Sequence, residues 1–340
     1  MLKIQDVRRV HVELTTRCNA RCPMCPRNYR GYDYNSGYPD AELSLSQFQH
    51  ILTPNFLKQL NGARASNQSN LPGVNFNGNL GDFAVARDGV EIVEYIVDNH
   101  VTVNINTNGS LRTPAWWARL ALPGVQIGFA LDGLADTHSL YRQDTDWNRV
   151  IENARAFIAA GGHAIWRFVP FDHNRHQIKQ CQQLAKELGF IRFENIWDGR
   201  DTGPVYSRSG EYSHYLGQAP ENIPPLDAML ESHVQWYHES KNSVPQDRPN
   251  LQYNCRHLKN HEIYLAADGS VYPCCFLGFY PTQMHHAGNT QTRELVFENN
   301  ALEYSLEHCM QWFDRVEQSW NKSSISDGRL YTCVTSCGCA

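Results

Sequence analysis

Three cysteines near the start of the chain, Cys18, Cys22 and Cys25, fall within the run Thr15-Thr16-Arg17-Cys18-Asn19-Ala20-Arg21-Cys22-Pro23-Met24-Cys25-Pro26-Arg27. Thiolates are the ligands of iron–sulfur clusters, and close local spacing lets one loop supply several of them. A cubane holds four irons, so three protein thiolates leave one iron open to a small molecule, as catalytic metal sites do. The same residues admit a zinc site completed by a distant His or Cys, or plain packing as small hydrophobes. Zinc usually joins paired Cys-x2-Cys knuckles, and here only Cys22 and Cys25 form one, which favours the cluster.

A second group lies toward the other end. Residues 251–340 hold seven of the 11 cysteines: Cys255, Cys274, Cys275, Cys309, Cys333, Cys337 and Cys339. Between Cys255 and Cys274, Asp268-Gly269 separates two apolar β-type runs, the signature of a hairpin that brings Cys274 back beside the start of the segment. Cys333-x3-Cys337-x-Cys339 offers two or three further ligands. Four thiolates close a second 4Fe–4S cluster with no open iron, and a structural zinc in a small domain with little core of its own is the alternative. Cys181 lies in a helical run and reads as packed.

Positioning these thiols requires a scaffold, and the first 196 residues show one. Short apolar runs at Val10–Leu14, Val74–Asn77, Val101–Asn106, Val125–Leu131, Ala164–Val169 and Ile191–Asn195 alternate with helical patterns at Leu45–Leu60, Asp88–Asn99, Pro114–Leu120, Trp147–Ala160 and His176–Leu188. Such alternation predicts an α/β fold with a parallel sheet, either doubly wound or an incomplete barrel, with ligands at the C-terminal ends of the strands. Cys18, Cys22 and Cys25 follow the first strand and so belong at that end. Prolines at 204, 220, 224, 225, 245 and 249, around one helical stretch at Leu226–Ser240, mark a connection between domains.

At 340 residues, 41% hydrophobic, 19% charged and net charge −5, the chain reads as an ordinary globular protein without the basic excess that duplex nucleic acid favours. No stretch approaches the roughly 18 apolar residues of a membrane span, and Met1 to Glu13 has no signal-peptide pattern, so no membrane partner and a cytoplasmic location are expected. Cytosolic cysteines stay reduced, and an odd count cannot pair completely, so metal binding is favoured over disulfides.

Cys18, Cys22, Met24 and Cys25 reproduce Cys-x3-Cys-x2-Cys with a hydrophobic residue before the last Cys, and here the sequence resembles the radical S-adenosylmethionine (SAM) superfamily. The run Cys-Asn-Ala-Arg-Cys-Pro-Met-Cys is similar to members with a C-terminal SPASM or twitch domain, and Cys255-x13-Gly269-x4-Cys274 matches the start of such a domain. The resemblance implies a partial (β/α)6 TIM-like barrel over residues 1–200, a connecting segment at 201–250, and a small twitch/SPASM-like β-hairpin plus helix domain at 251–340. With a single cysteine group at the end, the twitch form fits. It implies an auxiliary 4Fe–4S cluster on Cys255, Cys274, Cys333 and Cys337, with Cys275, Cys309 and Cys339 as substitutes.

Other candidate residues sit at strand ends. The turn Asn75 to Asp82 carries Gly78 and Gly81 before a carboxylate; glycines admit a ligand to the backbone, and Asp82 suits an ammonium group, while an ordinary turn is the alternative. The turn is similar to the family's Gly-Gly-Glu motif, which binds the SAM amino group. Asn108 and Gly109 end the third strand, and Asp132 follows the fourth; all can equally be turn and cap residues. Arg142 matches an arginine that meets the SAM carboxylate, whereas Ala130 replaces a serine of similar members. Asp172-His173-Asn174 and Trp197-Asp198 are positioned to line a substrate pocket, with no side chain assigned as acid or base.

The resemblance implies that SAM chelates the open iron and is cleaved to methionine and a 5′-deoxyadenosyl radical, which takes a hydrogen from substrate. The substrate is then a peptide, a protein side chain or a small metabolite, and the reductant flavodoxin or ferredoxin. Only 17 residues precede Cys18, which favours a small or self-presented substrate over a peptide held by a preceding recognition domain. An iron–sulfur electron-transfer protein without SAM chemistry, and a zinc-stabilised binding module, are the competing readings.

Overall fold

Strand residues alternate between an apolar row and a polar row, and that alternation sets the architecture. The computed structural model describes residues 2–33, 38–62, 73–196, 203–232, 252–279 and 287–339. Its first six strands are β1 (Arg9–Val12), β2 (Gly73–Phe76), β3 (Thr102–Thr107), β4 (Val125–Ala130), β5 (His163–Phe168) and β6 (Arg192–Asn195). Val10, Val74, Val103 and Val125 stand in register across β1 to β4, and all four are buried. Each such side chain contributes about 1.5–3 kcal/mol by leaving water. The neighbouring row is His11, Asn75, Asn104 and Gln126, also in register, so one face of the sheet is apolar and the next row, on the opposite face, is polar.

Neighbours from β1 to β6 are all parallel and follow one another in sequence order. A doubly wound sheet reverses its strand order part-way; this sheet does not, so the winding is of the partial-barrel kind, with β6 as an open edge. The α/β expectation holds strand by strand. Helices between strands bury apolar stripes, as Val90, Ile92, Val93 and Ile96 do on Gly89–Asp98. The helix expected over Leu45–Leu60 is two helices, Leu45–Ile51 and Pro54–Gly62. Pro54 has no N–H to continue the first, and the Thr53 hydroxyl accepts from Phe56 N at 3.3 Å to start the second.

The connecting segment also has structure. β7 (Gly203–Tyr206) and β8 (Tyr212–Leu216) form an antiparallel hairpin, which the proline-centred reading missed despite its turn at Gly210 (φ 91°). Residues 226–232 are helical, while the rest of the Leu226–Ser240 expectation, Asp201, Pro245, Pro249 and Trp197-Asp198 lie outside the described residues.

After β9 (Gln252–Tyr253), the hairpin predicted around Asp268-Gly269 is present as β10 (Glu262–Leu265) and β11 (Val271–Tyr272), with Gly269 in the left-handed region. β10 pairs in parallel with β1, so the sheet has eight strands in the order β11-β10-β1-β2-β3-β4-β5-β6. The short strand β12 (Gly338–Cys339) pairs with β9. Because β10 runs with β1, Cys255 and Cys274 sit toward the N-terminal ends of the barrel strands, opposite the loop that carries Cys18.

Candidate cluster and cofactor site

β1 leads directly into the loop that holds the first three thiols. Cys25 N–H donates to the Cys22 carbonyl at 2.9 Å, and Asn28 Nδ2 donates to the same oxygen at 3.1 Å, closing a turn. Cys18, Cys22, Cys25 and Met24 pack with Tyr141, Val169 and Phe171 in a small apolar cluster that Val205 of β7 and Leu216 of β8 cover. Burial, with the charge of Asp82 next, holds the Cys18 thiol above its ordinary range. N–H groups are aimed at two of the sulfurs. Ala20 N lies 3.4 Å and Asn108 Nδ2 3.7 Å from Cys18 Sγ, and Arg142 Nη1 lies 3.7 Å from Cys22 Sγ.

The expected cofactor residues converge on this loop. Gly78 and Gly81 are glycine for want of room: a Cβ on Gly78 would strike the Gly81 carbonyl, and one on Gly81 would strike the Thr15 carbonyl. The turn is thereby docked against the thiol loop, and Asp82 N–H donates to Arg17 O at 2.9 Å. The Asp82 carboxylate accepts from Ala84 N (2.9 Å), the Thr107 hydroxyl (2.8 Å) and Asn108 N (2.7 Å), tying the end of β3 to the turn. Burial raises its pKa against the pull of these donors.

Asn108 is buried, and its side chain links three groups. It donates to Asn19 Oδ1 at 2.9 Å and accepts from Ser110 N and Oγ, while Nδ2 also faces Cys18. Gly109 has φ 71° and no room for a Cβ beside Phe129, so it serves the turn. Asp132 is fully buried; it accepts from Val169 N and from Arg142 Nε, both at 2.6 Å. Arg142 therefore bridges a buried carboxylate and the Cys22 sulfur. His138 accepts from Asp132 N through Nδ1 at 3.2 Å, and burial lowers its pKa to about 4. Asn174 is an internal fastener, donating to Asp132 O and Val169 O, and His173 stacks on Phe171.

One supporting residue escaped the sequence reading. Glu13, just past β1, accepts from Leu80 N (2.6 Å), Gly81 N (2.9 Å) and the Tyr264 hydroxyl of β10 (2.5 Å). Asn79 donates to Tyr264 Oη and to Cys275 O, so a buried network runs from the Gly78–Gly81 turn to the C-terminal cysteine segment. The available signal was a carboxylate closing an apolar strand run, Val10 to Leu14.

Cys255, Cys274, Cys333 and Cys337 border one small, mostly apolar cavity together with Leu277 and Phe313. They come from three separate places: the start of the helix Arg256–Asn260, the end of the β10–β11 hairpin, and the helix Tyr331–Cys337. Burial pushes the Cys333 thiol up to about 12, while a hydrogen bond from Cys255 lowers that of Cys337. Of the substitutes, Cys275 borders a different, larger cavity, Cys309 is buried against the helices, and the side chain of Cys339 lies outside the described residues. Cys181 is fully buried in its helix. Among the described residues, no three His, Cys, Asp or Glu side chains stand close enough together to hold a single metal ion.

No protein-family profile and no curated protein matches this sequence. Solved structures match it. The crystal structure of Streptococcus suis SuiB aligns with a TM-score of 0.56 over 96% of this chain and 72% of its own, at 13% identity. This chain shares the SuiB fold. SuiB bound to S-adenosylmethionine aligns with the same TM-score and coverage at 14% identity, and SuiB bound to the precursor peptide SuiA aligns over 97% of this chain. The SuiB likeness extends past the six β/α repeats into the C-terminal segment, since coverage is nearly complete.

No helix among the described residues is long and apolar enough to cross a membrane.

Proposed function

We propose that this chain is a radical SAM enzyme in which Cys18, Cys22 and Cys25 hold a 4Fe–4S cluster. The observation that carries the reading is the placing of these three thiols in one partly buried loop, at the C-terminal end of β1, with Asn108 and Arg142 aimed at two of the sulfurs. Donors of this kind tune a cluster through its sulfurs. The donor set, three thiols from one loop with only Cys22 and Cys25 forming a Cys-x2-Cys knuckle, fits a cubane better than one zinc ion, which usually joins paired knuckles. When bound, such a cluster supplies the electron that splits SAM into methionine and a 5′-deoxyadenosyl radical.

The chain's own residues do the holding. Asp132 fixes Arg142 against Cys22, Glu13 and Asp82 fix the Gly78–Gly81 turn and Asn108 against the Cys18 side, and Tyr141, Phe171, Val205 and Leu216 pack against the thiol loop. Cys255, Cys274, Cys333 and Cys337 are the proposed ligands of one auxiliary 4Fe–4S cluster. The proposed division is 1–200 for the barrel, 201–250 for the covering segment and 251–340 for the auxiliary-cluster part, whose β10 and β11 extend the barrel sheet. A peptide, protein side chain or small metabolite is the proposed substrate, with SuiB's complex with a precursor peptide supporting the first. Flavodoxin or ferredoxin is the proposed reductant.

Anaerobically reconstituted protein, given SAM and dithionite, is expected to form 5′-deoxyadenosine far above a Cys18→Ala control. Equal amounts from both would refute the enzyme reading. Calorimetry separates the electron-transfer alternative, which needs no SAM binding.

A further inference from the structure

The barrel encloses a cavity of about 590 Å³ that none of the residues around Cys18 borders. Parallel barrels normally fill their interior with branched apolar side chains. Here Asn75, Asn104 and Gln126 face the interior from β2, β3 and β4, in register and so about 4.8 Å apart from strand to strand. None of the three side chains makes a hydrogen bond among the described residues, whereas Asn106, one step further along β3, accepts from Arg167. All three are half-buried and reach the cavity, and each carboxamide offers both a donor and an acceptor. Their complement is a ligand that does the same, through amide or hydroxyl groups.

The far wall adds a charge preference. Arg167 of β5 and Arg192 of β6 share the single carboxylate of Glu194, at 3.4 and 2.6 Å, which leaves positive charge facing the cavity. At its other end the cavity reaches Cys255, Cys274 and Cys337, which also border the small apolar cavity. Its occupant therefore lies beside the second cysteine group.

We propose that this cavity is the substrate site and that Asn75, Asn104 and Gln126 select a small anionic ligand bearing amide or hydroxyl groups. The assignment rests on the enzyme reading above and narrows its substrate class. It disfavours an apolar side chain as the buried part of the substrate, since three unpaired amides would face it.

Calorimetry on the anaerobically purified full-length protein tests it with four probes: N-acetylglycylglycine, its C-terminal amide, gluconate and hexanoate. N-acetylglycylglycine or gluconate is expected to bind at least tenfold more tightly than hexanoate, and the better of the two identifies amide or hydroxyl chemistry. The acid is expected to bind at least tenfold more tightly than its neutral amide. Asn104→Leu and Gln126→Met are each expected to weaken binding of the preferred acid about tenfold, with circular dichroism and iron content as in the parent. Should Asn104→Leu misfold, Gln126→Met, which keeps the side chain's length, carries the test. The proposal falls if neither acid binds, if hexanoate binds equally well, or if the folded variants bind as the parent does. Probe binding retained in a preparation that makes no 5′-deoxyadenosine would sink the enzyme reading and with it the substrate role, leaving the cavity only a binding site for such acids.

Discussion

The two cysteine groups are built in opposite ways. Cys18, Cys22 and Cys25 come from one loop and sit in a web of polar groups, with Asn108, Arg142 and the backbone of Ala20 directed at sulfur. Cys255, Cys274, Cys333 and Cys337 come from three distant places and meet in a small cavity walled mainly by apolar side chains. Three thiols beside polar donors suit a site that must accept a second molecule, whereas four thiols gathered from separate elements around a small, mainly apolar cavity suit a site that only retains its own. On the proposed function, the comparison teaches that thiol number and surroundings, rather than cysteine spacing alone, separate a working cluster from a supporting one.

Removing ligands should break that comparison most sharply. Cys18→Ala is expected to lower 5′-deoxyadenosine formation by at least 100-fold and, on iron analysis, to reduce about eight irons per chain to about four. Cys274→Ala should cause the same iron loss from the other group yet leave SAM cleavage measurable; complete loss of cleavage would mean that the groups are not independent.

Smaller effects probe the polar web. Arg142→Met leaves Asp132 buried without its cation and should cost about 3–5 kcal/mol in chemical denaturation, with most of it recovered by adding Asp132→Asn. Acidification comes next. Burial depresses His138 beside the first group and His257 beside the second to about 4. Each folded-state pKa lies below that of the unfolded chain, so the unfolded state binds more protons and stability falls as pH drops from about 6.5 toward 4. The loss is about 3 kcal/mol per histidine at most, full stability being present above pH 6.5. His138→Asn should flatten this slope in urea titrations; an unchanged slope would show that His138 does not contribute. The smallest effect belongs to the bridge between the two regions: Tyr264→Phe removes a donor to Glu13 and should cost about 1–3 kcal/mol of stability.

Much of the fold was legible because its signals are local. Six apolar runs with helical patterns between them identify the β/α repeats, and the first thiol loop is one contiguous stretch at a strand end. What was not legible depends on register or on distant pairing. Glu13 and Tyr264 are 251 residues apart, and only the parallel pairing of β10 with β1 brings them together. The inward row of Asn75, Asn104 and Gln126 appears in no single motif, since each residue sits on a different strand. The Gly-Asp pair alone does not reveal that Thr107 and Asn108, from the next strand, donate to the Asp82 oxygens. The β7–β8 hairpin was hidden by prolines that suggested only a connection, although its Val205 and Leu216 cover the thiol loop.

The central claim is that the Cys18 loop presents one metal corner to SAM. Electron paramagnetic resonance on dithionite-reduced Cys274→Ala protein, which isolates that loop, tests it most directly. A 4Fe–4S signal whose g values shift when SAM is added, and which disappears in a Cys18→Ala/Cys274→Ala double variant, is predicted. A signal unmoved by SAM, or one that persists without Cys18, would contradict it.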